Sequence, residues 1–128
     1  MTRVLLVEDE ELNRVLVRAI LARATEPAVR DVELVEAGTL ETARSALGTE
    51  DVDLILLDVN LPDGNGLDLA RELATQDDRP RVVALTASVL PHERAAAMSA
   101  GCDGFLDKPY GAADLVGVLS AYLPDNQV

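Results

Sequence analysis

The sequence is poor in several residue types, and each shortage narrows what the protein can be. Its 128 residues include a single cysteine, Cys102, which excludes an internal disulfide framework. No apolar run approaches the ~18 residues of a membrane helix, and the four apolar residues after Arg3 are too few for a signal peptide. These shortages predict a cytoplasmic protein in a reducing compartment.

Positive charge is also scarce. The chain carries 23 acidic and 11 basic side chains, a formal net charge of -12, and Lys108 is its one lysine. This surplus repels nucleic-acid phosphates and anionic lipids, so binding to DNA, RNA or a membrane surface is disfavoured. The length suits one domain and is too short for two, so we expect residues 1–128 to form a single domain with a core at about residues 3–123.

What the sequence does contain is an alternation of strand and helix patterns. Three short apolar runs, at residues 4–7, 54–57 and 82–85, predict strands that are covered on both faces. Two weaker segments, at 32–36 and 104–107, predict the edges of the same sheet. Helical periodicity predicts five helices, which fall within 12–20, 40–47, 67–74, 91–100 and 115–123.

Five strands that alternate with five helices predict an α/β fold with a parallel sheet, since parallel strands need crossover connections. With the two weak strands at the edges, the strand order is 2-1-3-4-5, which is the flavodoxin-like, doubly wound (βα)5 arrangement. Ligands of such sheets bind beyond the carboxyl ends of the strands where the order reverses, here between strands 1 and 3.

Polar side chains stand where the predicted strands end. They are Glu8 and Asp9 after strand 1, Asp58 and then Asn60 after strand 3, Thr86 after strand 4, and Lys108 after strand 5. Carboxylates this close would repel one another without a cation, and an all-oxygen set suits Mg²⁺ better than zinc. A hydroxyl and an ammonium facing such an ion would neutralise an incoming phosphoryl group from several sides.

Four sequence blocks around these residues resemble one known family. VLLVEDE (4–10), LILLDVNLPDGNG (54–66), ALTA (84–87) and FLDKP (105–109) are similar, in order and spacing, to the receiver domain of two-component response regulators. The resemblance implies that Asp58 accepts a phosphoryl group from a phosphohistidine on a histidine kinase or a histidine phosphotransfer domain. It also implies a signalling phosphoacceptor that is not an enzyme and that catalyses only its own phosphorylation from small donors and its own dephosphorylation.

The resemblance assigns roles at the site as well. It implies a Mg²⁺ site formed by Glu8 (through water), Asp9, Asp58 and the carbonyl of Asn60. It further implies that Thr86 and Lys108 contact the phosphoryl group. Glu8 replaces the more usual aspartate and reaches one methylene further.

Further positions are implied to respond to phosphorylation. Thr86 and Phe105 match the conformational switch, and the surface of helix 4, strand 5 and helix 5 is expected to change its affinity for a downstream protein. Asn60 and Ser88 resemble positions that tune hydrolysis of the aspartyl phosphate. The peptide bond between Lys108 and Pro109 is expected to be cis.

Two alternatives remain open from the sequence. A haloacid-dehalogenase-like phosphatase also forms an aspartyl phosphate, but its pattern has a second aspartate two residues after the nucleophile, where this chain has Asn60. A binding module in which the acidic cluster only holds a metal is the other. The segment Glu11-Leu12-Asn13 in the first helix resembles both hybrid-kinase and stand-alone receivers.

Overall fold

Five parallel strands form the sheet in the computed structural model, which describes residues 2–87 and 90–123. The strands are β1 (Arg3–Val7), β2 (Glu33–Ala37), β3 (Leu54–Asp58), β4 (Arg81–Thr86) and β5 (Gly104–Asp107). Their order is β2-β1-β3-β4-β5, which confirms the predicted doubly wound arrangement. The residues of β3 are all buried, as its continuous apolar sequence predicts.

Helices cover both faces of the sheet. They are α1 (Glu11–Arg23), α2 (Leu40–Thr49), α3 (Gly66–Ala74), α4 (Pro91–Ser99) and α5 (Ala112–Tyr122). Alternate strand residues such as Leu5 and Leu57 pack against α2, α3 and α4, while Leu6 and Leu56 pack against α1 and α5. The core is therefore divided into two apolar layers by the sheet.

The first helix forms where the periodicity predicts it but presents a different face to the sheet. Its buried residues are Val17 and Ile20, whereas Leu12 is 77% exposed and Val15 and Leu16 are also exposed. Of the apolar stripe that predicts this helix, Leu12, Val15, Leu16, Ala19 and Ile20, the structure therefore buries Ile20, together with Val17 from outside the stripe. The reason lies at the start of the helix, where the residues after Leu12 are bonded to Glu8 and fix the rotation of α1.

The fourth helix packs loosely because its side chains are small. Ala97 is its one buried residue. Pro91 occupies the first turn, and Gly101 follows the helix with a φ of 103°, in the left-handed region that favours glycine. None of the helices in the described parts of the chain is long and apolar enough to cross a bilayer.

A short antiparallel pair follows β3 and was not predicted from the sequence. Asn60–Leu61 pairs with Gly64–Asn65 around a turn at Pro62 and Asp63. Two residues per strand are too few to show a periodic pattern, so only the turn residues could have indicated this feature.

Candidate functional site

Strand register brings the polar residues of the sheet to one edge. Val7 lies beside Leu57 in the pairing of β1 with β3, and Asp58 lies beside Leu85 in the pairing of β3 with β4. Thr86 likewise pairs with Asp107 across β4 and β5. The residues that follow these strand ends therefore meet at the carboxyl edge of the sheet, at the point where the strand order reverses.

Lys108 joins two buried carboxylates at this edge. Its Nζ donates to Oε1 of Glu8 at 2.7 Å and to Oδ2 of Asp58 at 3.0 Å. Glu8 is completely buried and Asp58 is 6% exposed. In the sequence, Lys108 is 100 positions from Glu8 and 50 positions from Asp58. The three residues converge because β1, β3 and β5 end at the same edge of the sheet. The peptide bond from Lys108 to Pro109 is cis, as expected.

Further donors hold each carboxylate in place. The amide Nδ2 of Asn13 donates to Oε1 of Glu8 at 2.9 Å, and the backbone N–H of Asn60 donates to Oδ1 of Asp58 at 3.0 Å. Buried carboxylates need such partners, since an unpaired buried charge is costly.

Burial and the neighbouring charges shift the pKa values of Asp58, Glu8 and Lys108. Burial, together with the neighbouring Glu8, raises the pKa of Asp58 to about 6. Burial acts to raise the pKa of Glu8 too, but hydrogen bonds with Asp58, Lys108 and Asn13 outweigh it and lower that pKa below its ordinary range. Burial likewise opposes the charge on Lys108, yet its bonds to Glu8 and Asp58 raise its pKa. Near neutral pH the side chains of Glu8 and Asp58 are therefore both ionised carboxylates, and Lys108 between them is an ammonium.

The acidic residues of the site fit a divalent metal ion. Glu8, Asp9 and Asp58 each offer a carboxylate oxygen, and these three atoms lie within 4.8 Å of one another. The set is all oxygen and includes an exposed member, Asp9, beside two buried ones. Oxygen donors that leave one side open to water are the arrangement that Mg²⁺ prefers in proteins.

The loop after Asp58 is fixed to the rest of the molecule. Oδ1 and Oδ2 of Asp63 accept the backbone N–H groups of Leu40 and Glu41 at 2.9 and 3.1 Å, which caps the start of α2. A Cβ on Gly66 would collide with the backbone carbonyl of Asp58, so only glycine fits there. This loop therefore has little freedom beside the carboxylate.

The two predicted switch residues line one cavity. Thr86 and Phe105 contribute to a cavity of about 480 Å³ that also contacts Asn60 and lies against α4. Phe105 is half-buried, and the guanidinium of Arg94 lies 5.1 Å from the centre of its ring. The same guanidinium donates to both carboxylate oxygens of Asp107, at 2.6 and 2.7 Å.

The structure thus brings together most of the residues that the sequence singled out. Glu8, Asp58 and Lys108 are in direct contact, and Asp9 and Asn60 adjoin them. Thr86 and Phe105 lie at the neighbouring cavity. Ser88, the second of the predicted hydrolysis-tuning positions, lies outside the described residues.

Two residues at the site were not predicted to act there. Asn13 contacts Glu8, and Arg94 contacts Phe105 and Asp107. Asn13 lies five residues after Glu8, in the first turn of α1, and this spacing could have indicated the contact. Nothing in the sequence around Arg94 indicates its partners, because Arg94 lies on α4 and both partners lie on β5.

The fold and the site together define a class of α/β protein in which carboxylates and a lysine meet at the switch point of a doubly wound sheet. Comparison with known families narrows this class. Residues 4–120 match the response regulator receiver domain, and the chain belongs to that family.

Individual relatives agree with this assignment. The KDP operon transcriptional regulatory protein KdpE of Escherichia coli (strain K12) is 38% identical over 115 residues, which are 90% of this chain and 48% of KdpE. The two-component response regulator ORR41 of Oryza sativa subsp. japonica is 34% identical over 95% of this chain and 94% of its own length. This chain therefore spans about half of one relative and nearly all of the other.

A solved structure is similar to this chain over most of its length. The receiver domain of sensor histidine kinase PA1611 from Pseudomonas aeruginosa PAO1 has a TM-score of 0.80 and 28% sequence identity, covering 94% of this chain and 96% of that one. It was crystallised with a magnesium ion coordinated in its active site cleft. Receiver domains are signalling modules, so neither a haloacid-dehalogenase-like phosphatase nor a simple metal-holding module is favoured.

Proposed function

We propose that Asp58 is the phosphoacceptor of this receiver domain and that a phosphohistidine on a histidine kinase or a histidine phosphotransfer domain is its donor. The observation that carries the proposal is the contact of Lys108 with Asp58. A nearly buried carboxylate at a strand end, held from one side by Asn60 and from the other by an ammonium, has a fixed direction of attack.

Asp58, Glu8, Asp9 and the carbonyl of Asn60 are the residues that would hold Mg²⁺, with Glu8 acting through water. The magnesium ion in the similar PA1611 receiver supports this choice of metal. When bound, the ion supplies positive charge next to the transferring phosphoryl oxygens.

In the reaction, an oxygen of the Asp58 carboxylate attacks phosphorus while the phosphorus–nitrogen bond of the donor breaks and the imidazole leaves. Lys108 offsets charge on the phosphoryl oxygens, and Thr86 donates a hydrogen bond to one of them. Asn60 and Ser88 then govern the access of water, which hydrolyses the aspartyl phosphate. The domain carries out only this self-phosphorylation and self-dephosphorylation, with no turnover of an external substrate.

Phosphorylation would alter the face formed by α4, β5 and α5. The added negative charge draws Thr86 towards the site, and Phe105 moves into the cavity that both residues line. Loose packing of α4 makes this face the easiest part of the molecule to rearrange. A downstream protein would bind there, in the cytoplasm, and residues 1–128 would act as one receiver domain with its core at about residues 3–123.

The test is labelling by acetyl phosphate in the presence of Mg²⁺. The wild-type protein is expected to take up one acid-stable, hydroxylamine-labile phosphoryl group, and an Asp58→Asn variant none. Asp68→Asn is the matched control, since Asp68 is exposed on α3, where it pairs with Arg71. Stoichiometric labelling of the Asp58→Asn variant would refute the assignment. Steady turnover of p-nitrophenyl phosphate by the wild type would instead favour the phosphatase.

A further inference from the structure

We propose that Asn13 is a positioning residue for the metal site, and that it acts by fixing the carboxylate of Glu8. The inference rests on the proposed function, because it concerns the Mg²⁺ that this function requires. Asn13 is half-buried in the first turn of α1. It belongs to the sequence segment Glu11-Leu12-Asn13, which has no role in the proposed phosphoacceptor function.

The hydrogen bonds of Glu8 are divided unequally between its two oxygens. Oε1 accepts the amide of Asn13 at 2.9 Å and the ammonium of Lys108 at 2.7 Å. Oε2 accepts the backbone N–H of Glu10 at the longer distance of 3.4 Å. Asn13 and Lys108 thus occupy one oxygen and leave the other for the cluster that Glu8 forms with Asp9 and Asp58.

Glutamate needs this restraint more than aspartate would. Its side chain has one more rotatable bond, so its carboxylate can adopt more orientations, and holding one orientation costs conformational entropy. The backbone carbonyl of Glu8 is already bonded to Arg14 at 2.8 Å, which holds the main chain but leaves the side chain free. Asn13, from the adjacent position of the helix, restrains the Glu8 side chain together with Lys108.

A residue that orients a metal-binding carboxylate typically changes metal affinity by 10–100-fold when it is removed. Glu8 keeps its bond to Lys108 when Asn13 is replaced, so we expect an effect at the lower end, about tenfold. The effect should fall on the binding of Mg²⁺ and leave the phosphorylation rate at saturating Mg²⁺ within about twofold of wild type, because Asp58 and Lys108 are unchanged.

The experiment measures Mg²⁺ dissociation constants from the amide NMR shifts of the labelled full chain, with no phosphodonor present. Asn13→Leu keeps the approximate shape of the side chain without its donor, and Asn13→Ala serves as a second variant if Leu perturbs the fold. Val15→Ala, at an exposed position of the same helix, is the control and is expected to bind Mg²⁺ as the wild type does.

A double-mutant cycle separates positioning from a general structural effect. In a Glu8→Asp background the shorter side chain cannot reach Asn13, so Asn13→Leu should no longer weaken Mg²⁺ binding. The inference is overturned if Asn13→Leu and Asn13→Ala bind Mg²⁺ as tightly as the wild type, or if the loss is equally large in the Glu8→Asp background. It also fails if the wild type binds no Mg²⁺.

The proposed function can fail separately. If the wild type binds Mg²⁺ but Asp58 takes up no phosphoryl group from acetyl phosphate, the phosphoacceptor role is refuted. The Mg²⁺ titrations of the Asn13 variants would still decide the positioning role, because they need no phosphodonor.

Discussion

Replacement of Asp58 by asparagine should make the metal-free protein more stable near neutral pH, even though it removes the proposed phosphoacceptor. Asp58 is 6% exposed and lies beside the completely buried Glu8, so its negative charge is held where it is least favourable. Asparagine has nearly the same shape, but it has one acceptor oxygen where Asp58 uses two, Oδ1 for the N–H of Asn60 and Oδ2 for Lys108, so it can keep only one of these two hydrogen bonds.

The magnitude follows from the titration of Asp58. Burial and the nearby Glu8 raise its pKa from 3.8 to about 6, and a rise of this size corresponds to about 3 kcal/mol. This is the upper limit, because the uncharged amide loses one of the two hydrogen bonds that the carboxylate accepts and binds Lys108 less strongly. We therefore expect Asp58→Asn to raise the free energy of unfolding by about 1–3 kcal/mol at pH 7.5.

The pH dependence gives the sign of the effect. Because the pKa of Asp58 is higher in the folded than in the unfolded state, ionisation destabilises the folded protein. The penalty is absent below about pH 4, grows as the pH rises towards 6, and is complete above that value. Urea unfolding in EDTA at pH 4, 6 and 7.5 should therefore show a gap between the variant and the wild type that widens with pH.

Magnesium should narrow the same gap. An ion that binds only the folded wild type adds about 1.4 kcal/mol at ten times its dissociation constant, while Asp58→Asn gains less. Asp68→Asn, which removes an exposed carboxylate, should change stability by less than about 1 kcal/mol at every pH. A variant that is less stable than the wild type in EDTA at pH 7.5, or a gap that does not depend on pH, would refute the reasoning.

Three further outcomes are expected. Asp103→Asn should lower the free energy of unfolding by about 2 kcal/mol at pH 7, measured with urea, since Asp103 accepts two bonds from Arg79. Burial acts to raise the pKa of Asp103, but the pairing with Arg79 outweighs burial and lowers this pKa. The loss of stability in the variant should therefore shrink as the pH falls below about 4, and a loss that does not change with pH would contradict this explanation. Gly66→Ala should weaken Mg²⁺ binding in calorimetric titrations by displacing the carbonyl of Asp58, and unchanged affinity would show that the loop adapts. Burial raises the pKa of Cys102 to about 11, so its thiol should react with Ellman's reagent only after unfolding; rapid reaction of the native protein would contradict its burial.

The sheet was predictable because its strands are short apolar runs with little ambiguity. Residues 54–57 and 82–85 have no polar member, and a strand covered on both faces is the fold that uses such a run. The order of the strands was predicted by placing the two least apolar segments, 32–36 and 104–107, at the edges of the sheet. The five helices were also predicted, with boundaries that differ from those observed by a few residues.

The orientation of α1 could not be predicted from periodicity alone. The regular apolar stripe consists of Leu12, Val15, Leu16, Ala19 and Ile20, yet Ile20 is the one member that is buried, and Val17, which lies outside the stripe, is buried with it. Periodicity reports only that a stripe exists. The observed rotation depends on tertiary contacts, namely the bonds that Asn13 and Arg14 make to Glu8.

The members of the site were predictable from their places at strand ends, whereas their partners were not. The convergence of Glu8, Asp58 and Lys108 follows from topology, since parallel strands end at a common edge. The contact of Arg94 with Phe105 and Asp107 depends on the position of a loosely packed helix, which local sequence does not specify. Predictions from sequence are thus strongest where the backbone is held by the sheet.

The single lysine gives this chain an unusual chemical property. Apart from the N-terminal amine, Lys108 carries the one primary amine of the protein, and it is held between two carboxylates with a raised pKa. A protonated, partly covered ammonium is a poor nucleophile, so acylating reagents at neutral pH should leave the Lys108 side chain of the native protein largely unmodified. Acylation of Lys108 would therefore report that the contacts of this ammonium with Glu8 and Asp58 have been broken.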